Sequence, residues 1–128
     1  MPTVTGPFEV RMTPLPGDTT IEGVGMGGRS LDKTYSGDLE ATGVGEMLSV
    51  LGPANTGVYV ALERVTGRLA GREGSFVLAH RGVMTATSRD LSIIVAPGSG
   101  TGGLAGLQGS MSIEIVDGKH GYSFDYSL

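Results

Sequence analysis

Glycine is the residue type that most constrains how this chain can fold. It occupies 23 of the 128 positions, well above its usual share of about 7%. Disordered segments combine low hydropathy with high charge, whereas here the mean hydropathy is +0.10 and 17% of the residues are charged. Because glycine weakens helices and permits bends and bulges in sheets, we expect ordered strands interrupted at glycines.

Apolar residues recur with period two, which is typical of strands. The alternating segments predict about eight strands, at Phe8–Met12, Ile21–Tyr35, Leu39–Val50, Val58–Leu69, Ser75–Thr87, Leu91–Val95, Ser110–Val116 and His120–Ser127. Their connections are too short for the crossovers that parallel strands need. Eight tightly connected strands favour a closed barrel, because closure leaves no exposed sheet edge. We therefore predict that residues 1–128 form a single all-β domain, a mostly antiparallel eight-stranded barrel.

The composition argues against several classes of site and partner. The chain has no cysteine, which excludes disulfides, thiolate metal sites and cysteine nucleophiles, and it has only two histidines. A net charge of −4 gives no support for binding nucleic acid. The N-terminal segment lacks the features of a secretion signal, and no stretch has the length of a membrane span. We expect a cytoplasmic protein with no cofactor and no metal.

Two hairpins can be aligned from their turns. The pair Asp117-Gly118 is a strong two-residue turn signal, and it places Ile115 opposite His120. One apolar face then carries Met111, Ile113, Ile115, Tyr122, Phe124 and Tyr126. For the second hairpin we expect a turn centred on Arg72-Glu73. That turn places Val65 opposite His80 and Glu63 opposite Gly82.

Glu63 and His80 are the strongest candidates for catalytic residues. In the expected register they lie on the same inner face, one diagonal step apart. Burial in an apolar interior disfavours the charged carboxylate, so we expect a raised pKa for Glu63. A neighbouring imidazole would then allow acid–base exchange with a bound molecule. The alternative is that Glu63 pairs with an arginine, or His80 with a backbone carbonyl, as structural elements of the barrel wall.

Aromatic side chains share the predicted inner faces and form either the core or a substrate pocket. Those proposed as substrate-binding are Tyr59, Phe76, Tyr122 and Phe124, with the hydroxyls of Tyr59 and Tyr122 as positioning groups. On the opposite face of the second hairpin, Val58, Val60 and Leu62 form an apolar stripe that predicts self-association. The segment Gly98–Gly103 matches a dinucleotide-binding pattern, but no room for the required helix follows. We expect it to be a tight connection or a cap on one barrel mouth.

Four segments in order resemble the DUF3224 family: Gly37–Glu40, Tyr59–Gly67, Gly71–His80 and Pro97–Gly102. The resemblance implies an allene oxide cyclase-like barrel, calycin-like in architecture and similar to dirigent proteins, often oligomeric and with a central cavity. Members of this family largely lack an assigned activity. Glu40 lies on an outer face or pairs with Arg29 or Lys33 by its strand pattern, whereas the family motif favours a place in the interior, where it would bind substrate.

Two functions are compatible with these observations. The first is binding of an apolar small molecule, of polyketide, terpenoid or lipid type, with cofactor-free isomerisation or cyclisation by Glu63 and His80. The second is a non-catalytic carrier of an apolar ligand, or a structural oligomer with a filled core. In either case we expect a dimer or trimer. A cavity lined by Glu63 and His80 would favour the enzyme, and a filled interior the alternative.

Overall fold

The structure, a computed structural model, describes residues 2–128 and consists of ten β-strands. They are β1 (Thr3–Pro14), β2 (Thr19–Ile21), β3 (Val24–Tyr35), β4 (Leu39–Leu51), β5 (Gly57–Leu69), β6 (Arg72–Met84), β7 (Arg89–Val95), β8 (Thr101–Gly102), β9 (Gln108–Val116) and β10 (Lys119–Ser127). Within residues 2–128 there is no helix, and hence none long and apolar enough to cross a membrane.

Eight of the strands form a closed antiparallel barrel, which confirms the predicted fold class. Their order is β1-β10-β9-β7-β6-β5-β4-β3, and β3 pairs again with β1. Strand β1 closes the barrel because its two halves have different partners. Thr3–Phe8 pairs with β10, and Phe8–Pro14 pairs with β3. The short strands β2 and β8 pair with β3 and β6.

The β9–β10 hairpin has the predicted register, with Ile115 opposite His120. One residue of its predicted inner face is misplaced, since Ile115 is 64% exposed. The pairing of β10 with β1 ends at His120. The tip of the hairpin therefore extends beyond the neighbouring strand, and Ile115 has no opposite wall to pack against.

The predicted register of the β5–β6 hairpin is wrong. Its turn is centred on Ala70-Gly71, whose φ angles of 49° and 85° are those of a type I′ turn, and Leu69 pairs with Arg72. Glu63 consequently lies opposite Leu78 rather than Gly82, and His80 opposite Ala61 rather than Val65. Because the displacement is an even number of residues, every side chain keeps its predicted face.

One mouth of the barrel is closed by side chains. Here Phe76 and Phe124 stack with their ring centroids 5.8 Å apart. The glycine-rich connection after β7 folds beneath them and buries Leu104 and Leu107 in the core. This confirms that the connection caps a barrel mouth. We call this end, which holds the β5–β6 turn, the closed mouth.

The opposite end, where β5 begins and β6 ends, holds an open cavity of about 390 Å³. We call it the open mouth. Its walls are mainly apolar and come from strands β1, β3, β4, β5, β6 and β7. The residues around it include Met12, Arg29, Met47, Tyr59, Met84 and Leu91. The barrel is therefore packed at one end and accessible at the other.

Candidate functional site

Glu63 is the centre of a buried polar cluster inside the barrel. Its side chain is 0% exposed. Lys33 Nζ lies 3.0 Å from Oε1, and His80 Nε2 lies 2.9 Å from the same oxygen. The hydroxyl of Tyr35 donates to Oε2 at 2.5 Å. The carboxylate thus accepts hydrogen bonds from three side chains on two other strands.

Gly43 on β4 makes room for this cluster. Strand β4 lies between β3 and β5, where Gly43 pairs with Lys33 on one side and Val65 on the other. A Cβ atom at position 43 would lie 2.9 Å from Glu63 Cδ, closer than side chains normally approach. The missing side chain lets the β3 residues reach across β4 to the carboxylate.

The surroundings of Glu63 keep it ionised. Burial acts to raise the pKa of Glu63, but the His80 hydrogen bond, the Lys33 charge and the Tyr35 hydrogen bond outweigh burial and hold the pKa below its ordinary value. The sequence-based expectation of a raised pKa is therefore wrong. It treated the interior as apolar and did not include the cation and the hydroxyl supplied by β3.

Lys33 and Tyr35 are packed in positions that suit these roles. Lys33 Nζ lies 5.2 Å from the centroid of the Phe8 ring, within the range of a cation–π contact. Burial and the negative charge of Glu63 raise the pKa of Tyr35. Tyr35 therefore remains a protonated donor to the carboxylate.

One nitrogen of His80 has no hydrogen-bond partner among the described residues. Because Glu63 is an ionised acceptor, Nε2 is the donor in the bond between them. No residue within 2–128 hydrogen-bonds Nδ1, yet no buried polar side-chain atom of these residues lacks a partner. Nδ1 therefore keeps some exposed surface, although the His80 side chain as a whole is 3% exposed.

Glu63 and His80 do not line the open cavity, whereas Tyr59 lines it and neighbours His80. The Tyr59 ring lines the cavity, and its centroid lies 6.5 Å from that of His80. The ring packs over Gly82, where a Cβ atom would lie 2.7 Å from Tyr59 Cδ1. Burial and the charge of Glu63 raise the pKa of Tyr59. Its hydroxyl is thus a neutral hydrogen-bonding group.

Other predicted substrate-binding residues lie away from the cavity. Phe76 and Phe124 are fully buried at the closed mouth. The Tyr122 hydroxyl donates to the carbonyl of Ser36 at 2.7 Å and accepts from the amide of Leu39 at 3.1 Å. It therefore fastens the β3–β4 connection. These three aromatic residues belong to the core, the alternative to a substrate pocket that the sequence analysis left open.

Glu40 does not lie inside the barrel. Its side chain is exposed, and its cross-strand neighbour is Arg68. The alternation of β4 places it on the outer face, as the strand pattern indicated and against the family-based expectation. Its suggested partner Lys33 points inward to Glu63 instead.

Sequence reasoning missed Lys33 and Tyr35 as members of the site. The signal available was the spacing of Leu31, Lys33 and Tyr35, which puts a lysine on the face of two large apolar residues. All three are buried. Among residues 2–128 no group of three or more His, Cys, Asp or Glu side chains is arranged to hold a metal ion.

Comparisons with known proteins identify the family. The family model described as "Protein of unknown function (DUF3224)" matches residues 4–126. No curated protein matches the chain. A crystal structure of a protein with unknown function from the DUF3224 family of Shewanella oneidensis MR-1 has 46% sequence identity and a TM-score of 0.95. That match covers 100% of this chain and 98% of the other. The resemblance inferred from sequence is confirmed, and the chain belongs to the DUF3224 family.

Proposed function

We propose that this barrel binds a small, largely apolar molecule at its open mouth and moves a proton on it without a cofactor. The observation that carries the proposal is the arrangement of His80. Its Nε2 is held by the buried carboxylate of Glu63 at 2.9 Å, while Nδ1 has no partner among the described residues. His80 does not itself line the open cavity, and Tyr59, which does, has its ring centroid 6.5 Å from that of His80. A fixed imidazole with one free nitrogen next to such a cavity residue is suited to general acid–base catalysis.

The roles differ from those expected for the two residues from sequence. Glu63 is held ionised and saturated with hydrogen bonds, so it serves to orient His80 and to balance its charge. His80 Nδ1 is the atom that exchanges a proton with the ligand. Tyr59 supplies a hydroxyl that can hydrogen-bond a carbonyl or hydroxyl oxygen of the ligand.

The reaction class that fits these groups is isomerisation or cyclisation. His80 would take a proton from one atom of the ligand and return it to another, so the ligand changes its bonding but not its composition. Such reactions depend mainly on shape and on exclusion of water. The mainly apolar cavity is suited to a polyketide-, terpenoid- or lipid-like substrate.

A non-catalytic carrier is the second candidate, and the saturation of Glu63 favours it. Lys33, Tyr35 and His80 Nε2 all donate to the Glu63 carboxylate. This is expected for a cluster whose only role is to stabilise the barrel wall. The two candidates share the binding step and differ in whether His80 acts on the ligand. They are therefore tested in two stages.

Binding is tested with the neutral fluorescent probe N-phenyl-1-naphthylamine. Ser49 lines the cavity, so Ser49→Phe should fill it and abolish probe fluorescence. Ser112 is exposed on β9, so Ser112→Phe adds the same side chain outside the barrel and should leave binding unchanged. Equal binding by both variants would place the ligand elsewhere.

Proton transfer is tested on any molecule that native mass spectrometry detects bound to the purified protein. In D₂O the wild-type protein should incorporate deuterium into that molecule or convert it to an isomer. His80→Gln should bind it and do neither. Binding without exchange or conversion by the wild-type protein would support the carrier.

We also propose that a second copy of the chain covers an outer patch formed by Leu48, Val58, Val60, Leu62 and Ala79. Leu62 and Leu48 are 63% and 62% exposed, more than isolated surface residues need. On this face Leu62 pairs with Glu46, and Val60 with Arg81. The two charges lie on opposite edges of the patch, so a two-fold axis in its plane, perpendicular to the line that joins them, would place each glutamate against the arginine of the other copy.

A further inference from the structure

Arg29 is an inward-facing cation at the open mouth. It follows the alternation of β3 that buries Leu31 and Lys33 on the inner face, it is half-buried, and it lines the apolar cavity. Removing a guanidinium from water is costly unless an anion compensates. The position therefore calls for a negatively charged partner.

The described residues supply no such partner. Lys33 lies four residues further along β3 on the same inner face, and it forms an ion pair with Glu63 at 3.0 Å. Arg29 has no carboxylate within 4.0 Å among residues 2–128. Two acidic residues lie at the same mouth: Asp18, beside Gly27, and Asp90 in the cavity wall. Neither approaches Arg29 within ion-pair distance.

We propose that the ligand of the open cavity is an amphiphile that carries a carboxylate, and that Arg29 binds the carboxylate. This inference rests on the binding function proposed above and names its substrate class. The walls formed by Met12, Met47 and Met84 suit an apolar body, because flexible thioether side chains adapt to varied shapes. A planar guanidinium matches a carboxylate with two parallel hydrogen bonds.

The residues that line the cavity carry a small positive charge. Arg89 also lines the cavity and is exposed. Counting Arg29, Arg89 and Asp90 among the lining residues gives two positive charges and one negative, a net charge of +1. The chain as a whole is acidic, with a net charge of −4. Asp18 at the same mouth offsets this charge, so selection of an anionic ligand depends on Arg29 and its missing ion pair rather than on the net charge of the mouth.

The strand register fixes how such a ligand would lie. Arg29 pairs with Met47, Met47 with Ala61, and Ala61 with His80. Arg29 and His80 are thus in one cross-strand row, three strands apart. Along the sheet this is about 14 Å, and across the curved interior it is less. A carboxylate on Arg29 places His80 near an atom several bonds away from the acid group.

The test compares cis-parinaric acid with its methyl ester, two fluorescent probes with the same apolar chain and different head groups. The wild-type protein should bind the acid at least about tenfold more tightly than the ester. Arg29→Gln should remove this preference and leave ester binding unchanged. Arg64→Gln, on the exposed outer face of β5, is the matched control and should keep the preference.

The outcomes separate this inference from the binding function. Equal affinity of the wild-type protein for acid and ester would overturn the role of Arg29 and leave the apolar cavity as the binding site. Absence of binding for both probes would overturn both proposals. A salt titration of the wild-type protein gives a second measurement that needs no variant. Acid binding should weaken with ionic strength, and a salt-independent preference would contradict an ionic contact.

Discussion

The carboxylate of Glu63 occupies the space in the barrel interior that a side chain at Gly43 would fill. A Cβ atom at position 43 would lie 2.9 Å from Glu63 Cδ. Because position 43 has no side chain, Lys33 and Tyr35 on β3 reach Glu63 on β5 across β4. Part of the unusual glycine content therefore serves the buried polar cluster directly.

Gly43→Ala should destabilise the protein by about 1–3 kcal/mol, because the added methyl group forces the carboxylate out of its hydrogen-bonded position. Urea unfolding followed by circular dichroism measures the effect. Gly25→Ala is the matched control. It lies on β3, and its Cβ atom would meet only Thr20 Oγ1 at 3.6 Å, so we expect a change within about 0.5 kcal/mol. Equal effects at both positions would contradict the close approach.

Glu63→Gln should destabilise the protein by about 3–5 kcal/mol, since it leaves the buried Lys33 cation without its counter-charge. The double variant Glu63→Gln/Lys33→Met removes the uncompensated charge and should recover a large part of this loss. Chemical unfolding of the two variants and the wild-type protein gives the comparison. A double variant less stable than the single one would show that Lys33 contributes other interactions that exceed its ion pair.

Stability should fall in acid because of Glu63. Its pKa in the folded protein is lower than the ordinary value of about 4.5. Between the two values the unfolded chain binds a proton that the folded protein does not, so the free energy of unfolding rises with pH there. The stabilisation is complete above the ordinary value and is lost as the pH falls through the folded value. Unfolding curves from pH 3 to 7 should show a shallower acid loss for Glu63→Gln/Lys33→Met than for the wild-type protein. Parallel curves would exclude Glu63 as the source.

The sequence allowed Glu63 and His80 to be placed together although the register of their hairpin was wrong. Strand alternation assigns a face to each residue, and a register error of even length leaves the faces unchanged. The turn itself was misjudged because two glycines flank Arg72-Glu73. The backbone instead turns at Ala70-Gly71, where both residues have positive φ.

Lys33 and Tyr35 could not be joined to Glu63 from sequence. Their strand is separated from β5 by β4, so the contact depends on strand order and on the empty position at Gly43. Arg29 was missed for a related reason. Its neighbours at the open mouth come from five other strands, and only the curvature of the closed barrel brings them around one cavity.

The turn at Ala70 offers a stabilising substitution. Ala70 has a φ of 49°, a conformation that asparagine adopts at lower cost than alanine. Ala70→Asn creates the Asn-Gly pair preferred in type I′ turns and should stabilise the protein by about 0.5–1 kcal/mol. Thermal unfolding measures this as an increase in Tm. A lower Tm would contradict the observed turn and favour one centred on Arg72-Glu73.

Self-association through the outer patch predicts that one added charge separates the subunits. Leu62→Glu places a carboxylate within that patch, directly opposite Glu46 on β4, where a second copy would have to bury both. Sedimentation velocity should show an oligomer for the wild-type protein and a monomer for this variant. Ile115→Glu is the matched control, because Ile115 is 64% exposed at the tip of the β9–β10 hairpin, outside the patch, and it should remain oligomeric. A monomeric wild-type protein at all concentrations would contradict the proposed second copy. An oligomer disrupted by the Ile115 variant alone would move the interface to that hairpin.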